Sequence, residues 1–184
     1  NRRLAQAGVN SVVTPARSDA ARFVPEAGQT PFFQLVDHWR PGDIEDLASE
    51  GEIPQGAPRP AVLQALTQDV REVRPGAADG FLLGGTDGFN ATFDAVQLSP
   101  SVIQEFRDRL WAEFGEPSRL GPEWANRFET WDDLTVETIE QAAAEGFYEP
   151  WMRYGLHADA VLLRLYGMAR DAVHSVEPVV PVGF

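Results

Sequence analysis

The chain has 184 residues, 43% of them hydrophobic, which is enough for one packed domain and argues against disorder. Its net charge is −13 and all fifteen basic residues are arginines, so we expect no binding to nucleic acid or to anionic membranes. The absence of cysteine excludes disulfides and cysteine-based zinc sites, and no apolar run reaches the ~18 residues of a membrane-spanning helix.

The first third of the chain predicts two short strands and a long connection. The β-branched run at 9–14 predicts a buried strand, and the apolar run at 21–24 predicts a second one. Residues 26–58 are rich in glycine, proline and acids, so we expect a long irregular connection around one apolar island at 32–36. Long loops in compact domains are often functional.

The middle of the chain predicts a helix, a strand and a second helix. Residues 59–74 predict the first helix, with Pro60 in its first turn. Residues 78–83 predict a strand that is buried on both faces, because its last three residues are all apolar. The second helix has Ser99 as its cap, Gly115 at its end, and an apolar stripe formed by Val102, Phe106, Leu110 and Phe114.

The last third of the chain predicts two helices and a strand. Residues 135–145 predict a helix, and residues 151–176 predict a longer one that is apolar on more than one side. Pro178 ends that helix, and residues 179–184 predict the final strand. Strands that alternate with helices are typical of parallel βα units, so the fold class is α/β. Both ends of the chain fall within predicted elements, so we expect a fragment of a larger fold.

Three features of the chain together resemble one enzyme family. They are the strand at 80–84 before a glycine-rich loop, the Ser-Pro helix start followed by Phe106-Arg107 and Gly115, and an aromatic segment. The aromatic segment keeps Leu120, Trp124, Phe128, Trp131, Asp132 and Asp133 in the order of the family motif. The pattern resembles the catalytic barrel of the β-galactosidase-like glycoside hydrolases, close to glycoside hydrolase family 42.

The resemblance implies a partial (β/α)8 barrel with parallel strands and a Trp-rich helical insertion at 117–147, after the strand at 78–84. All of 1–184 would then be a fragment of one barrel domain, acting on β-linked sugars without a cofactor. Such enzymes use one carboxyl group to protonate the leaving oxygen and another to attack the anomeric carbon. The nucleophile would lie outside this chain. We therefore expect these residues alone to be inactive and to need the rest of the barrel or an oligomer partner.

The chain departs from the family pattern at the position of the acid. The family carries its proton-donating glutamate directly after this strand, where the present sequence has Gly85 and Thr86. Asp87 is the nearest carboxylate, so it is either a displaced catalytic acid or an ordinary turn residue before Gly88. Whether catalysis survives is therefore open, and the alternative is a non-catalytic carbohydrate-binding or scaffold domain.

Five further residues are candidates for contact with a carbohydrate. The indoles of Trp124 and Trp131 could form a platform for a sugar ring, with packing of the core as the alternative. In the long loop, His38 could act as a base and Trp39 could stack on a sugar, unless they only anchor the loop. Glu26 follows a predicted strand and could contact a sugar hydroxyl, or it is a solvated loop acid.

The remaining features of the sequence indicate neither a metal site nor a particular cellular compartment. The three histidines have no metal-like spacing, so we expect no metal site. Asp132 and Asp133 are expected to cap the helix that follows near Thr135. We expect a soluble, bacterial-type protein, either cytoplasmic or secreted.

Overall fold

The structure is a computed structural model that describes residues 11–15, 30–34, 61–73, 79–83, 96–97 and 99–183. In chain order, its elements are strands β1 (Ser11–Pro15) and β2 (Thr30–Gln34), helix α1 (Ala61–Glu72), strand β3 (Gly80–Leu82), helices α2 (Pro100–Phe114), α3 (Pro122–Arg127), α4 (Ile139–Glu145) and α5 (Glu149–His174), and strand β4 (Val182–Gly183). Two 3-10 helical turns, Pro117–Leu120 and Trp131–Asp133, flank α3.

The four strands form one parallel sheet in the order β1-β2-β3-β4. Each strand therefore neighbours the strand that precedes it in the described sequence, and every described pair is parallel. This arrangement confirms the prediction of parallel strands combined with helices, an α/β fold. Closure of the sheet into a barrel stays a prediction.

The structure corrects two of the predicted element positions. Strand β2 lies within residues 26–58, where an irregular connection was expected. Phe32 and Phe33 of the apolar island form it by pairing with β1 on one side and with β3 on the other. Helix α4 begins at Ile139 rather than near 135, because the Thr138 hydroxyl accepts the backbone N–H of Gln141 and caps the helix there. The predicted strand at 21–24 lies outside the described residues.

Helix α2 begins and ends where its sequence predicts. The hydroxyl of Ser99 accepts a hydrogen bond from the backbone N–H of Val102, and Pro100 occupies the first helical position. Gly115 ends the helix with a φ of 77°, a conformation that favours glycine. The stripe of α2 is buried at Val102, Phe106 and Leu110.

Helix α5 is the centre of the helical packing, because it contacts both α1 and α2. It is 26 residues long, and one side carries a continuous series of buried residues. Among the largest fully buried side chains of the described core are Leu66, Phe81, Leu83, Val102, Trp124, Val161 and Leu165. None of the described helices is both long and apolar enough to cross a membrane.

Candidate functional site

The carboxyl ends of the four strands meet at one edge of the sheet. The register aligns Pro15 with Gln34, Gln34 with Leu82, and Leu82 with Gly183. In parallel α/β folds the loops that leave this edge carry the reactive groups. This edge is therefore the candidate catalytic region of the chain.

Four of the predicted site residues belong to the connections between these strands and the next elements. They are Glu26, His38, Trp39 and Asp87, and all four lie outside the described residues. Gly85 and Thr86, which stand where the resemblance would place the acid, also lie outside them. Their predicted roles stay predictions.

Trp124 is placed in the interior of the helical segment between α2 and α5. Its side chain is 1% exposed, and its ring meets those of Phe128, Trp131 and Phe147 at centroid distances of 5.6, 6.0 and 5.7 Å. Its indole N–H donates a 3.0 Å hydrogen bond to Oε2 of Glu149. A buried indole N–H needs such a partner. The ring of Trp124 is therefore occupied by aromatic packing and its polar edge by a hydrogen bond.

Trp131 has the same structural character, although it lies beside an open groove. It is 5% exposed, and its indole N–H donates to the carbonyl oxygen of Gly115 at 3.1 Å. This bond joins the second 3-10 turn to the end of α2. The burial of Trp124 and Trp131 matches core packing, the alternative to a sugar platform, because neither indole offers the open face that a platform needs.

The two aspartates after Trp131 do not cap α4, as the sequence predicted. Oδ2 of Asp133 accepts hydrogen bonds from the backbone N–H and the hydroxyl of Thr130, at 2.8 and 3.1 Å. Asp133 therefore closes a capping box around the 3-10 turn that contains it. Asp132 is exposed beside it and lines the neighbouring groove.

An open groove of about 420 Å³ lies between the end of α2 and the segment that leads to the second 3-10 turn. Its lining includes Arg107, Asp108, Trp111, Glu116, Glu129 and Asp132. Trp111 is 67% exposed, unlike the other two tryptophans of this region. The groove thus combines a free indole face with several carboxylates, which are the groups that contact the CH face and the hydroxyls of a sugar.

The sequence contains a signal for Trp111 that was not used to predict a site residue. Residue 111 falls off the stripe of Val102, Phe106, Leu110 and Phe114, so the periodicity of α2 places it away from the core. A large aromatic at an exposed helical position is more informative for binding than one on the apolar face.

Arg107 lines the groove and also joins α2 to the second 3-10 turn. Its Nε and Nη2 groups donate hydrogen bonds of 3.2 and 2.7 Å to the carbonyl oxygen of Leu134. These bonds fix α2 against the end of the second 3-10 turn. Arg107 is therefore committed to structure, and the open charged groups of the groove are acidic.

A second group of carboxylates is held by Arg127, which is not among the residues that line the groove. Arg127 pairs with both Glu137 and Glu145, and its guanidinium lies 4.7 Å from the ring centroid of Phe147. Burial and the neighbouring charge of Glu145 raise the pKa of Glu137, whereas Arg127 lowers it. Within the described ranges, no group of three or more His, Cys, Asp or Glu side chains could hold a metal ion.

Comparisons with models of known protein families, with curated proteins and with solved structures found no match. The function of the chain therefore has to be inferred from its own residues and their arrangement. Two features are available for this purpose, the carboxyl edge of the parallel sheet and the groove at Trp111.

Proposed function

We propose that this chain is part of the catalytic barrel of a β-galactosidase-like glycoside hydrolase that acts on β-linked sugars. The observation that carries the proposal is the order of the strands. Four parallel strands neighbour one another in sequence order, as successive strands of a (β/α)8 barrel do. Helix α1 lies between β2 and β3 in the chain, and helices α2 to α5 lie between β3 and β4.

The residues of the family resemblance have structural roles, which supports the proposal. Phe106, Trp124, Phe128 and Trp131 are buried in the core of the described residues. Gly115 adopts the positive φ that ends α2 and accepts the bond from Trp131. A motif made of packing residues preserves a scaffold, so its presence fits a barrel of this family with an altered site.

On this proposal the carboxyl edge of the sheet carries the chemistry. Asp87 comes five positions after Leu82, the last residue of β3, which is close to where the family places its acid. Asp87 would protonate the leaving oxygen, while a carboxylate from outside this chain attacks the anomeric carbon. His38 and Trp39 follow the last residue of β2 by four and five positions, and together with Glu26 they would contact the sugar.

Hydrolysis of two substrates by the full-length protein tests this assignment. A nitrophenyl β-galactoside needs little protonation of its leaving group, whereas an alkyl β-galactoside needs an acid. If Asp87 is the acid, Asp87→Asn keeps the initial burst of nitrophenol, which needs no protonation, and loses release of the alkyl alcohol. Steady turnover slows for both substrates, because the same residue then serves as base when water attacks the glycosyl-enzyme. The matched control is Asp79→Asn, which changes an exposed aspartate at the opposite end of β3 and should leave both rates unchanged.

Two results would contradict the assignment in different ways. Loss of the nitrophenol burst together with alkyl release, or no loss of either, in Asp87→Asn would show that Asp87 is not the acid. Failure of the unaltered full-length protein to hydrolyse either substrate would overturn the proposed hydrolase.

The second candidate is a domain that binds β-linked carbohydrate without cleaving it. Two observations favour it: Gly85-Thr86 occupies the position of the family's acid, and Trp111 exposes an indole face in an open groove.

Electrophoresis of the full-length protein through gels that contain soluble β-linked polysaccharides tests this binding function. A binding protein migrates more slowly through such a gel than through a plain one. Trp111→Ala should abolish this retardation, whereas Trp151→Ala, at a less exposed tryptophan outside the groove, should preserve it. Equal retardation of both variants would contradict this candidate.

A further inference from the structure

His157 is a buried histidine at the contact between α2 and α5. Its side chain is 3% exposed, and its ring lies 5.4 Å from the centroid of Phe106 and 6.5 Å from that of Tyr154. The ring hydrogen-bonds the backbone of Val102, whereas its Nε2 is buried with no hydrogen-bond partner. A neutral imidazole tolerates a bare acceptor nitrogen, but a second proton would create a buried charge and an unsatisfied donor.

The charged groups around His157 do not offer it a free partner. Glu105 on α2 is held by Arg164 on α5 through two hydrogen bonds of 3.0 and 2.8 Å. Arg109 on α2 and Arg164 both oppose a positive charge on the ring, whereas Glu105 favours one. Among the described residues of α1, which also packs on α5, no charged group acts on the ring.

The position of His157 connects it to the chain that enters α2. Tyr154, three residues earlier on α5, donates a 2.5 Å hydrogen bond from its hydroxyl to the carbonyl oxygen of Gln97. Burial raises the pKa of Tyr154 to about 12, so the phenol remains a donor at all moderate pH values. Gln97 lies just before Ser99, the cap of α2, on the stretch that follows β3.

We propose that His157 makes the α2–α5 contact acid-sensitive, so that protonation of its buried ring separates the two helices and releases Tyr154 from Gln97. Gln97 would then lose this hydrogen bond to α5. This device depends on the helical packing and is independent of the proposed hydrolase activity.

The direction of the pH effect follows from burial, which is the largest influence and lowers the pKa of His157 below its ordinary value of 6.5. As the pH falls through about 6.5, the unfolded chain takes up a proton before the native state does. The stabilisation by neutral His157 is therefore complete above about 6.5, declines below it, and stops declining below the lowered native pKa. If the native pKa of His157 lies one unit below that of the unfolded chain, the unfolding constant at acidic pH is about ten times larger than it is above pH 6.5.

Urea unfolding of the full chain between pH 8 and pH 5 tests the device. The matched variants are His157→Phe, which keeps an aromatic ring without a titrating group, and His174→Gln. The latter changes a part-buried histidine of the same helix whose Nε2 contacts the carbonyl oxygen of Val180 at 3.0 Å. When the pH is lowered below 6.5, we expect the urea concentration at the unfolding midpoint to decrease for the unaltered chain and for His174→Gln. The midpoint of His157→Phe should change less. An equal fall in His157→Phe would overturn the inference.

A titration of the unaltered chain by nuclear magnetic resonance keeps the inference testable if His157→Phe does not fold. Spectra of His38→Gln and His174→Gln assign the imidazole signals by elimination. We expect the His157 signal to titrate below pH 6.5 and the backbone amides of Gln97 and Ser99 to change with the same midpoint. A His157 midpoint at or above 6.5, or unchanged Gln97 and Ser99 amides, would contradict it.

Discussion

The indole N–H of Trp124 and Oε2 of Glu149, 25 residues apart in the chain, are joined by a 3.0 Å hydrogen bond. Glu149 stands in the first turn of α5 and also pairs with Arg153 at 2.9 Å. The bonds from Trp124 and Arg153 lower the pKa of Glu149, so its carboxylate stays charged at neutral pH. The aromatic segment is thereby attached to the helix that organises the core.

Replacement of Trp124 by phenylalanine tests this attachment. Trp124→Phe keeps an aromatic ring but removes the hydrogen bond to a charged carboxylate, so we expect it to lower the free energy of unfolding by about 1.5–3 kcal/mol. Trp151→Phe is the control, because Trp151 is 36% exposed and its change should stay within about 0.5 kcal/mol. Urea denaturation measures both; equal effects would show that the bond to Glu149 contributes nothing.

Arg107 should not tolerate a lysine. Its guanidinium donates two hydrogen bonds to the single carbonyl oxygen of Leu134, and one ammonium group cannot reproduce that fork. We expect Arg107→Lys to cost about 1–2 kcal/mol of unfolding free energy. Arg109→Lys, two positions away on an exposed part of α2, should cost less than about 0.5 kcal/mol. A thermal or urea scan in which the two variants coincide would refute this role.

Asp133 and Asp132 form a matched pair of neighbouring carboxylates. Asp133→Ala removes the acceptor for both the backbone and the hydroxyl of Thr130, so it should cost about 0.5–2 kcal/mol. Asp132→Ala changes an exposed side chain and should cost less than about 0.5 kcal/mol. If Asp132→Ala proves the more damaging change in urea denaturation, the capping box is not the stabilising feature.

Glu137 should make the protein less stable as the pH rises. Burial and the charge of Glu145 raise its native pKa above 4.5, so just above pH 4.5 the native state holds this proton more tightly than the unfolded chain. The ionised side chain is therefore a cost at neutral pH, and the cost is relieved as the pH falls through the raised pKa.

Glutamine at this position removes the titration. We expect Glu137→Gln to raise the urea midpoint at pH 7 and to flatten its pH dependence above pH 4.5. Glu129→Gln, at an exposed position of the same segment, is the control and should leave the pH dependence unchanged. A lower midpoint for Glu137→Gln at pH 7 would mean that its pairing with Arg127 outweighs its burial.

The elements with strong local signals could be predicted from the sequence. Helix α2 has a serine cap, a first-turn proline, an apolar stripe and a terminal glycine, and all four act as expected. Strand β2 was missed because its apolar residues lie among glycines, prolines and acids, and its pairing with β1 and β3 is a tertiary effect. The start of α4 was misplaced because two capping sequences occur within nine residues, and Asp133 serves the first of them.

The site was harder to predict than the fold. Trp124 and Trp131 belong to an aromatic cluster that the sequence alone cannot distinguish from a binding surface, because both uses need large rings close together. Their burial and their bonds to Glu149 and Gly115 distinguish the two uses. Trp111 was separable in principle, since it lies off the apolar stripe of α2. His157 gave no signal, because the unpartnered state of its Nε2 arises only from packing.

The proposed hydrolase and the proposed non-catalytic binder both require recognition of β-linked sugars, whereas a scaffold domain does not. Calorimetric titration of the full-length protein with a β-linked galacto-oligosaccharide tests it most directly. A saturable heat that is absent with an α-linked oligosaccharide of equal length is the predicted result. A flat response to β-linked sugars of several compositions would contradict the account.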